Sequence, residues 1–277
     1  TGESPTTFSP DNIKEVLDDI RKDKSVNNVL LYINSGGGSV TASEKIRNML
    51  VNFKKETGKT LTVSMNGLAA SGAYWISTAA DYVYASPETI TGSIGVFSLG
   101  ISADKLLNEY GVYEDGVETS ELARTSIARE MPQSQKIEIQ LSVESIYKKF
   151  ITLARNAHPE LKKVDYREFA EGRIFTVYDA KNIHLINDID TFDNLIANAK
   201  KQIEKDKNTI CKVKHFVPDG IDSQFILKRL LSTHIQGLVS DNTLKMLLSW
   251  FDTASVKGSN TQAPKIMATS AFTSIDL

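Results

Sequence analysis

Asn66-Gly67-Leu68-Ala69-Ala70-Ser71-Gly72-Ala73-Tyr74-Trp75 is the stretch that decides how this chain folds. A β-rich run over residues 60–65 enters it, and an apolar segment of helical character over residues 74–80 leaves it. One serine therefore stands where a strand gives way to a helix, with Gly and Ala around it. Small residues let the chain turn sharply and let another backbone come close. A hydroxyl at a helix N-terminus lies beside unpaired N–H groups and the positive end of the helix dipole, a good place for an alkoxide and then an oxyanion. Most serines before helices are simple N-caps, so the choice between cap and nucleophile falls to the rest of the chain.

Upstream, Ser9-Pro10 reads as a cap followed by proline at the first helical position, and Ile13, Val16, Leu17 and Ile20 follow at helical spacing. Residues 28–34 form a continuous apolar run that suits a strand buried on both faces of a parallel sheet. Ser35-Gly36-Gly37-Gly38-Ser39 comes next, then a helix. Thr41 and Glu44 have capping-box spacing at its start, and Ile46, Leu50 and Phe53 mark its buried stripe. A second strand over residues 61–65 leads to the serine. In a βαβ arrangement the glycine loop and the serine loop both lie at the carboxyl edge of the sheet, where open α/β folds place their sites.

The three glycines admit several readings. A phosphate loop would need Gly-Lys-Ser/Thr before the helix, but Gly38 is followed by Ser39 and Val40. The dinucleotide fingerprint is also missing. A plain loop is the bland reading. The alternative is a set of backbone N–H groups facing a substrate carbonyl with no Cβ in the way, as an oxyanion hole requires.

Downstream, residues 82–85 and 93–97 read as short strands on either side of a turn. Ser102 caps a helix that runs to Tyr110, and residues 112–129 are mixed and partly β-like. A long helix begins near Pro132 and ends at Pro159, with Ile137, Leu141, Ile146, Phe150, Ile151 and Leu153 on its buried side. Short helices over 166–171 and 179–182, a strand-like piece over 185–189 and a helix over 192–205 capped by Thr191 complete the α/β part. Residues 225–238 and 243–251 have amphipathic helical patterns, and from Ala254 the chain is polar and loose. The expected organisation is an α/β domain over 1–207, a helical extension for packing or assembly over 208–253 and a flexible tail over 254–277.

Bulk numbers remove some functions. A net charge of −2 with no basic stripe argues against nucleic acid as a partner. One cysteine, Cys211, allows no internal disulfide, and one cysteine with four scattered histidines argues against a Cys/His zinc cluster; no metal or other cofactor is expected. No run is apolar enough to span a membrane. A chain opening on Thr1 rather than Met reads as a piece trimmed or processed from something longer.

Three blocks together, residues 31–40 (Leu-Tyr-Ile-Asn-Ser-Gly-Gly-Gly-Ser-Val), 66–81 around Ala70-Ser71-Gly72, and 91–96 (Thr-Gly-Ser-Ile-Gly-Val), resemble the signal peptide peptidase A (protease IV) family, peptidase family S49. The likeness continues through Gly172-Arg173-Ile174-Phe175-Thr176 and Asp179-Ala180. It looks most like the C-terminal half of the long two-repeat bacterial form. The resemblance implies a Clp/crotonase-like ββα superhelix of repeated βα units with a helical C-terminal extension. It implies Ser71 as nucleophile, Gly37, Gly38 and Gly72 at the oxyanion hole, and Ser93 hydrogen-bonding a catalytic lysine. It further implies a serine endopeptidase of Ser-Lys type that cleaves remnant signal peptides with small or apolar side chains. Its setting would be the bacterial inner membrane, with the catalytic part facing the periplasm, an anchor outside this chain, and a homotetrameric bowl. Two departures stand out. Gly36 replaces the proline of the common loop, and His184 replaces a glycine near the last short strand, which reads as surface drift.

A serine needs a base. No histidine precedes His158, and His184, His215 and His234 come later still, so a Ser-His-Asp triad fits poorly and a Ser-Lys dyad fits better. Single-repeat relatives carry the lysine where this chain has Leu122, and no lysine occurs between Lys105 and Lys136. Arg124 stays protonated and cannot serve. Lys105 is expected on an exposed helical face. The base is therefore expected from an N-terminal half or a neighbouring subunit, which leaves this chain nearly inactive alone. A crotonase-like acyl-CoA enzyme and a non-catalytic structural half remain as alternatives.

Overall fold

The computed structural model describes residues 9–207, 211–216 and 272–276. Helix α1 (Pro10–Lys22) starts where Ser9 caps it, accepting from Asn12 N–H, and buries Ile13, Val16, Leu17 and Ile20. Strand β1 (Val26–Ser35), helix α2 (Val40–Thr57) and strand β2 (Thr60–Ala70) make a βαβ unit with β1 and β2 parallel. Ile46, Leu50 and Phe53 of α2 are fully buried. The cap of α2 is Ser39, whose side chain accepts from Ala42 N–H, two residues before the expected Thr41. Glu44 does not close a capping box, because its carboxylate accepts instead from Trp75 Nε1 at 2.8 Å and pairs with Lys149 at 2.7 Å.

β2 is longer than its apolar run predicts and continues to Ala70. A bulge makes this compatible with pairing. Ile33 lies opposite Met65 but Ser35 lies opposite Ala69, so β2 takes four residues where β1 takes two. Gly67 sits in that bulge at φ +66°, a conformation glycine adopts without strain. The consequence is positional: the glycine loop after Ser35 is delivered level with the end of β2.

Helix α3 (Gly72–Ser77) follows at once and is wholly buried. Beyond it, β3 (Tyr82–Ala85) and β4 (Ile90–Gly92) pair in succession with the same edge of β2, at Thr62–Met65 and Leu68–Ala70. The strand expected over 93–97 is not formed. Strand pairing stops at Gly92, and Ser93 turns to φ +51°, which breaks the extended path. Helix α4 (Asp104–Glu109) is shorter than expected, with Ala103 rather than Ser102 at its cap. Residues 112–131 carry no strand and are tied by side chains: Arg124 to Glu114 and Glu118, and Arg129 to Glu118 at 2.8 Å.

Helix α5 (Gln133–Ala157) buries Phe150, Ile151 and Leu153 against α3, with the Phe150 ring 4.7 Å from Trp75. Its first turns stand clear of the core. Ile137 and Leu141, expected to be buried, are 51% and 55% exposed. A 3-10 turn (Pro159–Lys163), α6 (Tyr166–Phe169), β5 (Ile174–Thr176), α7 (Val177–Asn182), β6 (Asp188–Ile189) and α8 (Phe192–Lys207) follow. β5 is antiparallel to β4, and β6 is parallel to β3. Two further strands, β7 (Lys212–Phe216) and β8 (Phe272–Asp276), extend the sheet beyond β1 as an antiparallel pair. They come from stretches read as the helical extension and the tail. The two amphipathic helices expected over 225–238 and 243–251 lie outside the described residues, as does the rest of the tail.

Candidate active site

β2 runs straight into Ser71, which takes φ 53° and ψ −122°. An L-residue held there stores about 1–3 kcal/mol of strain. Such a strand-to-helix bend lifts a hydroxyl off the end of a sheet. Backbone bonds hold it: Ser71 N–H donates to Gly92 O at 2.9 Å, and Ser71 O accepts from Trp75 N–H at 2.9 Å. The side chain makes no cap bond, and its hydroxyl has no hydrogen-bond partner among the described residues. Ser71 is thus no ordinary N-cap, since α3 gains nothing from its hydroxyl.

The glycine loop lies directly on this bend. A Cβ added to Gly37, at φ +105°, would come within 2.6 Å of Gly72 N, 2.8 Å of Ala70 O and 2.9 Å of Ser71 Cβ. A Cβ on Gly72 would stand 3.1 Å from Gly38 N. Glycine is required at Gly37 because the two backbones touch, and at Gly72 because the buried Ser43 Oγ occupies the place of a Cβ. Gly37 N–H donates to Ser35 Oγ at 3.2 Å. The N–H groups of Gly38 and Gly72 have no acceptor among the described residues. Three serines spaced four apart hold the loop: Ser35 takes the Gly37 N–H, Ser39 caps α2, and Ser43 Oγ donates to Ser39 O at 2.9 Å. Ser43 is fully buried, and its Oγ stands 2.5 Å from where a Gly72 Cβ would be. That i, i+4, i+8 spacing around the glycines was visible in the sequence, but it reads there as loop composition.

Ser93 sits one strand over. Ala70 lies opposite Gly92, so Ser71 and Ser93 follow side by side, both at positive φ. Ser93 N–H donates to Arg173 O at 2.6 Å, and Gly172 N–H donates to Ile94 O at 3.0 Å. A Cβ on Gly95 would meet Gly172 Cα at 3.0 Å, and one on Gly92 would meet the Phe175 ring at 2.7 Å. The Thr91–Gly95 and Gly172–Phe175 blocks are therefore the two sides of one close backbone contact.

No lysine or histidine hydrogen-bonds Ser71 or Ser93 among the described residues. Lys105 lies exposed on α4, and Leu122 is exposed in the arm before α5. His158 is buried at the end of α5, where burial pushes its imidazole down to about 4. His184 is exposed, and His215 stands on β7. His234 lies outside the described residues. Arg124 is occupied by Glu114. A cavity of about 760 Å³ opens between residues 96–102, the arm over 124–132 and the start of α5, and neither Ser71 nor Ser93 lines it. No group of metal-ligating side chains occurs among the described residues.

Behind α3, Glu44 ties three elements together. Its carboxylate accepts from Trp75 of α3, from Asn48 of its own helix at 3.0 Å and from Lys149 of α5. Burial alone would raise its carboxyl, but hydrogen bonds from Lys149, Trp75 and Asn48 outweigh this and hold it below the usual carboxylate range.

Comparison with known proteins bears on the same residues. The sequence model of peptidase family S49 matches residues 53–206, and that of Clp protease matches residues 9–91. Protease 4 of Salmonella typhi is 42% identical over 200 residues, covering 71% of this chain and 32% of that protein. Protease 4 of Haemophilus influenzae is 34% identical over 230 residues, covering 82% and 37%. A putative signal peptide peptidase SppA of Enterococcus faecium is 30% identical over 210 residues, covering 75% and 60%. The chain thus spans about a third of the length of the first two relatives.

Proposed function

The chain belongs to peptidase family S49, and on that premise we propose that it carries the nucleophile and oxyanion hole of a serine endopeptidase. Ser71 Oγ attacks the scissile carbonyl as a base removes its proton. The carbonyl oxygen, now an oxyanion, is held by the N–H groups of Gly38 and Gly72, while Gly37 gives the room for the loop to lie on the bend. Loss of one such donor costs about 10²–10³ in rate in other serine peptidases. The single observation behind this reading is the unpartnered Ser71 hydroxyl on a strained bend with the glycine loop in van der Waals contact.

The base in this proposal is a lysine from an N-terminal half or a neighbouring subunit, and Ser93 orients it. Burial in the assembled site lowers its pKa enough for it to act. The substrates are peptides with small or apolar side chains near the scissile bond, cleaved signal peptides among them. The setting is the bacterial inner membrane with the catalytic part in the periplasm, attachment comes through a segment outside this chain, and the assembly is a homotetramer. No helix of the described residues is long and apolar enough to cross a membrane.

The test is fluorophosphonate labelling and peptide cleavage by this chain alone, then with the lysine-bearing half supplied. Labelling at Ser71 should be weak alone and strong after addition, and absent in S71A. Strong activity alone that is lost in K105A would overturn the split site. No labelling of Ser71 in either state would overturn the peptidase reading.

A further inference from the structure

Seven arginines fall among the described residues, and six are engaged. Arg21 pairs with Asp18 and Glu56, Arg124 and Arg129 with the acidic groups of the arm, and Arg167 with Asp165. Arg47 donates to Thr78 Oγ1, and Arg155 donates to the carbonyls of Leu161 and Val164. Arg173 alone has a guanidinium with no hydrogen bond, ion pair or ring contact among the described residues.

Its place is unusual for an idle cation. The register puts Ala70 opposite Gly92 and Gly92 opposite Ile174, so Ser71, Ser93 and Arg173 form one row across the sheet. Ser71 N–H bonds Gly92 O, and Ser93 N–H bonds Arg173 O. Two strand spacings, about 10 Å, separate the Arg173 backbone from that of Ser71. An extended arginine spans most of that distance. The backbone that presents it is held fast. Glu171 and Gly172 take φ +58° and +72°, and Glu171 N–H donates to Tyr147 Oη at 2.9 Å. A non-glycine residue in a left-handed conformation costs stability and persists where the surroundings enforce it.

We propose that Arg173 is the substrate-recognition residue of this site and binds a carboxylate of the peptide near the scissile bond. Guanidinium presents a planar fork of donors that matches a carboxylate, and the charge-assisted pair is the stronger kind of hydrogen bond. The carboxylate has two sources, a free C-terminus or an acidic side chain, and both present the same group. If it is the C-terminus, the substrate is a fragment released by a prior peptide-bond cleavage. The assignment rests on the peptidase reading of Ser71.

Binding is measured without turnover, using the S71A chain and fluorescent apolar peptides. One ends in a free carboxylate, one in an amide, and one is amidated with an internal Glu. The expected result is about tenfold tighter binding of one carboxylate peptide than of the plain amide. R173Q should erase that preference, R173K should keep part of it, and R173E should favour a Lys-bearing peptide. Which carboxylate peptide wins identifies the source. Equal binding of all three peptides, no binding of any, or a preference that survives R173Q overturns the proposal. Fluorophosphonate labelling of Ser71 in the assembled protein separates the two failures: Ser71 that labels while the preference is absent sinks the arginine assignment and leaves the peptidase reading standing.

Discussion

Ser71 and Ser93 both take a positive φ that L-residues avoid, and both stand at the carboxyl end of a strand. Strain of this kind persists where the surroundings enforce it, so relieving it at Ser71 separates stability from chemistry. S71G should unfold at higher temperature than the parent, by about 1 kcal/mol of stability, while all covalent labelling is lost. Thermal melts and mass spectrometry check the two halves. His184 offers the contrasting case. It occupies φ +65° just past the end of α7, a left-handed position that glycine fills without penalty. Its exposed side chain makes the loss of glycine tolerable, and the sequence reading of drift at the surface missed only the backbone cost. H184G should therefore gain about 1 kcal/mol in chemical denaturation and leave Ser71 labelling as it was.

The elements sort by how local their signals are. α1, α2 and the end of α5 were legible because their apolar residues recur at helical spacing and the core takes all of them. The cap of α2 was misassigned because Ser39 and Thr41 both have the chemistry, and only the loop path chooses Ser39. The expected strand over 93–97 looked right because Ile94, Val96 and Phe97 favour β structure, yet the backbone turn at Ser93 comes first. The glycine loop was readable as a motif, but its contact with Ala70–Gly72 depends on a bulge that no local pattern announces. That contact predicts a sharp difference between two glycines. G37A places a Cβ against fixed backbone at φ +105° and should abolish Ser71 labelling with a stability loss of about 2 kcal/mol or more. G58A, at φ +69° with nothing within 4 Å, should cost about 1 kcal/mol and leave labelling intact. At the end of α5, His158 is neutral in the fold because burial holds it near 4, against 6.5 when unfolded. The unfolded chain binds the extra proton first, so stability is full above pH 6.5 and falls as pH drops toward 4, by up to about 3 kcal/mol. H158Q should flatten the unfolding free energy over that window relative to the parent.

At the scale of the molecule, the sheet is built outward from β1 and β2, and the site forms where their following loops meet. That much followed from the order of strands, helices and glycines. What the sequence could not supply is which apolar residues the core fails to cover. The first turns of α5 look like any amphipathic helix, but Ile137 and Leu141 face outward, as do Phe97, Leu99 and Ile101. I137E/L141E should leave the unfolding free energy of the isolated chain within about 0.5 kcal/mol, since exposed sites contribute little, and it tests whether this face takes part in the proposed assembly. If the face is buried on assembly, the same double variant should lower the assembled mass seen by sedimentation velocity in the presence of the other half. An unchanged assembly would show that this face is not part of it.

If the base comes from outside this chain, as proposed, the uncoordinated hydroxyl of Ser71 has a consequence for the life of the protein before assembly. The Ser71 hydroxyl has no hydrogen-bond partner among the described residues, so under the proposed split site a newly folded copy would hold its attacking group in place but dormant. Were the lysine to arrive only at docking, hydrolytic power would be born at the moment of assembly. Loose copies would then be spared from digesting one another or their surroundings.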